Sequence, residues 1–394
     1  MAADIQGPAA SVIEQGRYLV QLANCTSCHT VKGGAGFAGG KAFQTPYAFL
    51  GKLYSSNITP DRATGIGSWT ESDFVLAMRT GVAPGGKRLF PAFPYPSFTK
   101  LTDGDLKAIF AYLRTIPAVS STPPRNGFWF RQRWALRLWS SWFLRPGVIV
   151  GEQRQSPELE RGRYLVEALG HCGACHTPRN WLLAERRDAA LSGGMQLSEV
   201  ENDRLRLWSA PNLTAAAGGL AKWSLEDVRK YLKTGNSRRA GLFGPMNEVI
   251  ANSLRFLSDS DAAAMALYLK SLPANLDSPQ QTLADGEMAA GQSLYEKHCE
   301  ECHLSTGRGG FRKAPPVSGN SVVQTSNPAS LINVILYGAA AAPDMPSNPE
   351  AWEDMAGFKD KMGDEEIAQL SNFLRASWGN RGSKVLPSAV AAQR

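Results

Sequence analysis

The sequence predicts an all-α fold built as three consecutive domains of one plan. Three observations carry this. A Cys-x-x-Cys-His run occurs three times: "NCTSCHT" (Cys25, Cys28, His29), "HCGACHT" (Cys172, Cys175, His176) and "HCEECHL" (Cys299, Cys302, His303). Each run ends a segment of helical periodicity and is followed, after irregular Gly- and Pro-rich chain, by two more helical segments. Strand-like alternation is scarce, and 394 residues are too many for one small core.

The first domain is expected over residues 1–122. Its opening helix ends in "EQGRYLVQLANCTSCH"; "GSWTESDFVLAMRTG" follows, with Thr70 and Asp73 as a helix-capping pair. "LTDGDLKAIFAYLRTIP" closes it, with Leu106, Ile109, Phe110 and Leu113 at helical spacing. The Pro-rich "PAVSSTPPRN" precedes a linker over 123–155. The second domain, 156–276, repeats the order with "ERGRYLVEALGHCGACH", "AKWSLEDVRKYLKTG" (capping pair Ser224 and Asp227) and "LSDSDAAAMALYLKSLP". Past the joint "LPANLDSPQQTLADG", the third domain, 277–380, runs through "AAGQSLYEKHCEECH", "NPASLINVILYG" and "MGDEEIAQLSNFLRASWG". The tail, 381–394, has no core pattern and is expected to be loose or to lie on a partner.

The three runs use all six cysteines, and three of the five histidines stand directly after a Cys-x-x-Cys pair. Two cysteines one helical turn apart can form thioethers to the two vinyl groups of one haem, and the next residue then points at the iron. Zinc sites and disulfide frameworks also use such pairs. Zinc, however, wants two pairs close together, and here the pairs are far apart, each with its own histidine. Three covalently attached haem c groups are therefore expected, held by Cys25, Cys28, Cys172, Cys175, Cys299 and Cys302, with His29, His176 and His303 as iron ligands.

A haem that transfers electrons usually takes a sixth ligand, often methionine. The loop before the last helix offers Met246 in "GLFGPMNEVI", and in the third domain Met355 in "WEDMAGFKD", with Met345 in "APDMPS" as competitor. The competing reading is that these methionines only fill core. The first domain reads "KRLFPAFPYPSF" there, and Phe93 cannot bind iron. Met78, inside a predicted helix, reads as a buried side chain rather than a ligand, and Lys87 is another donor. His171 and His298 precede cysteines of other domains and are poorly placed for the first haem. That haem is expected to be five-coordinate or unusually ligated. The stretches around Asn57 and Pro60, Pro211 and Asn212, and Pro315 and Pro316 either offer a carbonyl to the imidazole N–H or simply form turns.

The formal charge of +7 is offset by two propionates on each haem, and the arginines form no nucleic-acid-binding motif, so no nucleic-acid partner is expected. Haem c is attached outside the bacterial cytoplasm, while the amino terminus has no basic region followed by a long apolar run. A removed signal peptide is the expected explanation. No run of about eighteen apolar residues is present to span a membrane. Residues 128–145, "FWFRQRWALRLWSSWFLR", read as an amphipathic helix. Trp134, Ala135, Leu138, Trp139, Trp142 and Phe143 fall on one face, and Arg133, Arg137, Ser140 and Ser141 on the other. Such a helix suits a membrane surface, or a packing role between domains or subunits.

Together with "YSSNITPDRATGIGSWT", "SAPNLT", "WSLEDVRKYLKTG" and "RASWGN", these motifs resemble the three-haem cytochrome c subunits of bacterial membrane-bound dehydrogenases, over residues 11–380. The resemblance implies three class I cytochrome c domains. It implies electron relay from a catalytic subunit carrying pyrroloquinoline quinone, flavin (FAD), or molybdenum with iron–sulfur clusters, through the haems to ubiquinone. The chain would lie peripherally at the periplasmic face of the cytoplasmic membrane. Haem attachment and proximal ligation fall on the cysteines and histidines named above, and distal ligation on Met246 and Met355. Alcohol-dehydrogenase-type members read "PAMPY" where this chain reads "PAFPY"; the Phe form resembles members paired with molybdenum-dependent aldehyde oxidoreductases, so the expectation leans to an aldehyde dehydrogenase over alcohol or sugar dehydrogenases. No Ser-His-Asp set, phosphate loop or dinucleotide fingerprint suggests catalysis by the chain itself. The alternatives are a haem enzyme of peroxidase or sulfur/thiol oxidase type with an open first haem, and a stand-alone electron carrier.

Overall fold

A computed structural model describes residues 8–44, 47–127, 133–149, 155–200, 204–276, 281–341, 345, 348 and 350–394. The described chain is largely helical. In order the helices are α1 (Pro8–Leu22), α2 (Cys25–His29), α3 (Glu71–Thr80), α4 (Tyr95–Phe98), α5 (Asp103–Leu113), α6 (Ala135–Phe143), α7 (Pro157–Tyr164), α8 (Gly173–His176), α9 (Leu225–Thr234), α10 (Met246–Asn252), α11 (Asp259–Ser271), α12 (Asp285–His298), α13 (Glu300–His303), α14 (Ala329–Tyr337), α15 (Asp364–Ala376) and α16 (Pro387–Ala391). Contacts divide the chain into two compact units, Met1–His171 with Asn252–Leu257, and Cys172–Ala251 with Ser258–Arg394. The division passes between His171 and Cys172, inside the second of the three repeats.

In the first unit, α1 packs against α5, with Gly16 at the point of contact. α3 begins in a capping box: the Asp73 amide donates to Thr70 Oγ1 at 3.1 Å and the Thr70 amide to the Asp73 carboxylate at 2.9 Å. Phe74 of α3 stacks on Phe110 of α5 with ring centroids 5.1 Å apart, and Met78, one turn further along the same face, is buried. Two short ribbons flank these helices, β1 (Ala42–Phe43) with β2 (Leu53–Tyr54), and β3 (Val82–Ala83) with β4 (Lys87–Arg88).

The joint helix is shorter than expected and turned differently. α6 starts at Ala135; residues 128–132 of the expected amphipathic segment lie outside the described residues. Leu136 is buried, Trp139 meets Tyr95 edge-on at 6.3 Å, and Phe143 packs on Trp139 at 5.4 Å. Ser140, assigned to the polar face, stands 3.4 Å from the Tyr95 hydroxyl. The outward face carries Trp134, Arg137, Leu138, Ser141 and Trp142. Apolar residues stand on both sides of this helix, so its pattern alone does not say which side a neighbour covers.

The second unit contains a long antiparallel hairpin that the reading of scarce strands did not include. β5 (Gly194–Val200) pairs with β6 (Arg204–Ala210) over seven residue pairs, from Gly194 with Ala210 to Val200 with Arg204. β6 is fastened to α14: the Ser209 amide donates to Ser330 Oγ at 2.9 Å, and Asn333 Nδ2 donates to the Leu207 carbonyl at 2.8 Å. α12 crosses α15 at Gly291, where a Cβ would lie 2.5 Å from the Phe373 Cβ. Tyr295, Ile332, Ile335, Leu336, Ile367, Leu370, Phe373 and Leu374 form the core around this crossing.

The tail is part of that core rather than loose. Val385 and Val390 are 2% and 0% exposed within it, and α16 packs on α15. Asn372 of α15 accepts from the Val385 amide at 2.7 Å and donates to its carbonyl at 2.9 Å. Arg375, fully buried, donates to the carbonyls of Val323 and Ser383 at 2.8 and 3.0 Å.

Candidate haem-binding sites

Each Cys-x-x-Cys-His run forms one short helical turn, α2, α8 or α13, directly after a longer helical segment. The six cysteines are half-buried and none is joined to another in a disulfide. Burial, reinforced by the second cysteine of each pair, pushes the first thiol, Cys25, Cys172 or Cys299, up to about 12. Burial therefore favours the protonated form of these first thiols. Among the described residues no group of three His, Cys, Asp or Glu side chains comes together as a metal cluster.

The histidines share one geometry. His29 Nδ1 lies 2.7 Å from the Ser56 carbonyl oxygen, His176 Nδ1 2.8 Å from that of Pro211, and His303 Nδ1 2.9 Å from that of Pro315. A carbonyl can only accept, so Nδ1 carries the proton and Nε2 keeps its lone pair. Burial lowers all three ring pKa values and favours this neutral form. Of the two readings of the Pro- and Asn-rich stretches, the imidazole-holding carbonyl and the turn, both hold.

Two asparagines fix those carbonyls in the first two repeats. Asn57 Oδ1 accepts from the Thr59 amide at 2.9 Å and Thr59 Oγ1 at 2.8 Å, while its Nδ2 donates to the Val119 carbonyl at 2.7 Å. Asn212 repeats the set with the Thr214 amide at 2.8 Å, Thr214 Oγ1 at 2.7 Å and the Asn275 carbonyl at 2.7 Å. Each asparagine thus ties the residue after the accepting carbonyl to chain beyond the closing helix, α5 or α11. Thiols one turn apart, with a committed Nδ1 and a free Nε2, fit covalent attachment of haem c.

The sixth-ligand candidates sit differently. Met246 is half-buried at the first position of α10. Met355 is half-buried and pinned by a two-bond bridge to Ala339, its amide 2.8 Å from the Ala339 oxygen. That bridge needs Gly338, at φ 81°, because a Cβ there would meet the Met355 carbonyl oxygen at 2.1 Å. Met345 is half-buried in a segment whose neighbours lie outside the described residues. Met78 belongs to the α3 core, and Lys87 is exposed on β4. His298 packs edge-on against Phe358.

His171 is a correction. Its Nε2 lies 3.3 Å from the Ala23 carbonyl, two residues before Cys25, and its ring meets Phe98 edge-on at 5.5 Å. It therefore reaches the first motif although it precedes a cysteine of the second. Trp208 carries a role that the sequence reading missed: its indole Nε1 is buried with no hydrogen-bond partner among the described residues, and its ring packs where a Cβ on Gly244 would stand, two residues before Met246. Across the hairpin it pairs with Gln196, whose Oε1 lies 2.7 Å from Cys175 Sγ. A buried indole N–H without an acceptor beside an attachment turn is a further sign of room for a polar-edged group. The only sequence signal was tryptophan itself, in "RLRLWSAPNLT".

Two families match parts of the chain: the one described as "Cytochrome c" over residues 13–117, and "Cytochrome C oxidase, cbb3-type, subunit III" over residues 286–374. Among similar proteins, the "Alcohol dehydrogenase (quinone), cytochrome c subunit" of Gluconobacter oxydans is 37% identical over 99% of this chain and 83% of its own length. The "Gluconate 2-dehydrogenase cytochrome c subunit" of Pantoea cypripedii is 37% identical over 96% of this chain and 88% of its own. The "Fructose dehydrogenase cytochrome subunit" of Gluconobacter japonicus is 36% identical over 97% and 82%.

Proposed function

The chain belongs to the family of cytochrome c subunits of dehydrogenase complexes, and from that premise we propose that it relays electrons from a catalytic dehydrogenase subunit, through three covalently attached haem c groups, to ubiquinone at the periplasmic face of the bacterial cytoplasmic membrane. Bound haem c supplies a reversible one-electron ferric/ferrous couple. The observation that carries the reading is the threefold repetition of one device, a thiol pair followed by a histidine whose Nδ1 is held by a carbonyl of Ser56, Pro211 or Pro315.

In this reading Cys25 and Cys28, Cys172 and Cys175, and Cys299 and Cys302 hold the haems in three domains, 1–122, 156–276 and 277–380. His29, His176 and His303 bind the irons, with Met246 and Met355 as sixth ligands of the second and third. The catalytic partner carries molybdenum with iron–sulfur clusters, pyrroloquinoline quinone or FAD; Phe93 tilts the proposal towards an aldehyde dehydrogenase of the molybdenum type.

Among the described residues no helix is long and apolar enough to cross a membrane, and peripheral attachment through α6 is proposed instead. Trp134, Leu138 and Trp142 are 73%, 51% and 58% exposed at i, i+4 and i+8, flanked by exposed Arg137 and Arg145. Amphipathic indoles beside arginines suit the headgroup layer. The test is gentle purification from native membranes, with haem counted per chain and the co-purifying subunit and its cofactor identified. Three haems and a molybdenum, quinone or flavin dehydrogenase are expected; isolation without any dehydrogenase subunit would sink the reading.

A further inference from the structure

We propose that the haem held by Cys25, Cys28 and His29 has no side-chain ligand opposite His29, and that this open face, walled by aromatic rings, takes small neutral π-acceptor ligands such as carbon monoxide or nitric oxide. The inference rests on the reading that a haem is attached at that turn.

It starts from an internal comparison of the chain with itself. Leu89-Phe90-Pro91-Ala92-Phe93 and Leu242-Phe243-Gly244-Pro245-Met246 place Phe93 and Met246 at the same step of a Leu-Phe-x-x-(Phe/Met) pattern. The frames around them match. Each follows a helix opened by a capping box, Thr70 with Asp73 or Ser224 with Asp227, and closed by a left-handed glycine, Gly81 at φ 67° or Gly235 at φ 70°. Each precedes a long helix whose N-cap hydroxyl, Thr102 or Ser258, accepts from the amide three residues on. Phe93 thus stands in the place of the sulfur donor and brings a phenyl ring with no lone pair.

That ring is held in place. Its centroid is 5.6 Å from Phe98 and 6.4 Å from Tyr95, which are 3% and 1% exposed, and Tyr95 is in turn backed by Trp139. The other candidate donors named from the sequence for this haem are placed as follows. Met78 is 5% exposed in the α3 core, His171 is engaged with the Ala23 carbonyl and the Phe98 edge, and Lys87 is exposed on β4.

The chemistry of the wall selects the ligand. Pocket polarity and hydrogen-bond donors decide what a haem face takes. Phe93 and Phe98 donate nothing, and the Tyr95 hydroxyl stands 3.4 Å from Ser140 Oγ. Such a face gives no proton to a bound peroxide and no hydrogen bond to a polarised oxygen species, whereas carbon monoxide and nitric oxide need neither. Binding is a simple dative addition to ferrous iron, with no electron lost and no group released. An occupied first haem would be held in its ferrous form, making the relay sensitive to these gases.

The experiment uses the full chain with its haems, loading at Cys25 and Cys28 being checked by peptide mass. Carbon monoxide is titrated into the dithionite-reduced protein and followed by the difference spectrum. About one haem in three is expected to respond. Phe93→Met is expected to abolish the response, and Met246→Ala to add a second responding haem. A loaded chain that ignores carbon monoxide overturns the open face alone; if Lys87→Ala or His171→Ala then restores binding, that side chain is the ligand and the proposal is equally overturned. A chain with no haem at Cys25 and Cys28 overturns the underlying reading as well.

Discussion

Gly16 of α1 faces Ala108 of α5 so closely that a Cβ on Gly16 would stand 2.0 Å from the Ala108 carbonyl oxygen. The opposing atom is backbone and cannot rotate away, so Gly16→Val must force the two helices apart. A loss of about 3 kcal/mol or more is expected, the upper end for overpacked interiors. Denaturant unfolding of the haem-loaded chain checks this. Gly286→Ala is the control: it lies in the first turn of α12 with nothing within 4 Å of the added Cβ, and is expected to be nearly neutral.

Asn212 joins the Pro211 carbonyl, and through it His176, to the chain after α11. Asn212→Ala removes the acceptor of the Thr214 amide and hydroxyl and the donor to the Asn275 carbonyl. Unpaired buried groups cost about 1–3 kcal/mol each. Lower stability is expected together with a changed reduction potential of one haem, because the imidazole support shifts with the loop. Spectroelectrochemistry reads the second effect, and an unaltered potential would leave Asn212 a purely structural role.

A thioether ligand raises a haem's potential relative to its absence. Met246→Ala and Met355→Ala are each expected to lower one potential and leave the other haems alone, whereas Met345→Ala is expected to change none. If Met345→Ala shifts a potential and Met355→Ala does not, the third haem takes its sulfur from Met345.

Trp134 and Trp142 are the residues to change for membrane release. At ~25 cal/mol per Å², withdrawing even ~100 Å² of indole surface from the interface costs ~2.5 kcal/mol, more than tenfold in partitioning. Trp134→Ser with Trp142→Ser should therefore lose at least about tenfold in co-sedimentation with anionic vesicles. Trp139→Ser should instead destabilise the first unit, since Trp139 packs on Tyr95 and Phe143.

What the sequence makes legible follows from what each feature depends on. Thioether attachment dictates residue type and spacing within one helical turn, so the three motifs and their histidines can be read without a fold. Capping boxes at Thr70 and Ser224 are equally local. Val385 and Val390 are different: two valines in a short tail without helical or strand periodicity acquire a partner because α15 presents Asn372, Phe373 and Leu374 there, a relation no short window contains. The hairpin lies between these cases. "RLRLWSA" alternates as a strand should, but its partner "GMQLSEV" does so weakly, and the pairing is secured partly by Ser330 and Asn333, more than a hundred residues later. His171 escapes for the reason the tail does, since its contact with Ala23 spans 148 positions.

The buried tail sets a timetable. A chain delivered amino end first, from a ribosome or through an export channel, can close the crossing of α1 and α5 as soon as residue 113 has emerged. The core against which Cys299 packs waits for Val390. For that interval Cys299, which packs against this core, belongs to a domain still missing part of its interior.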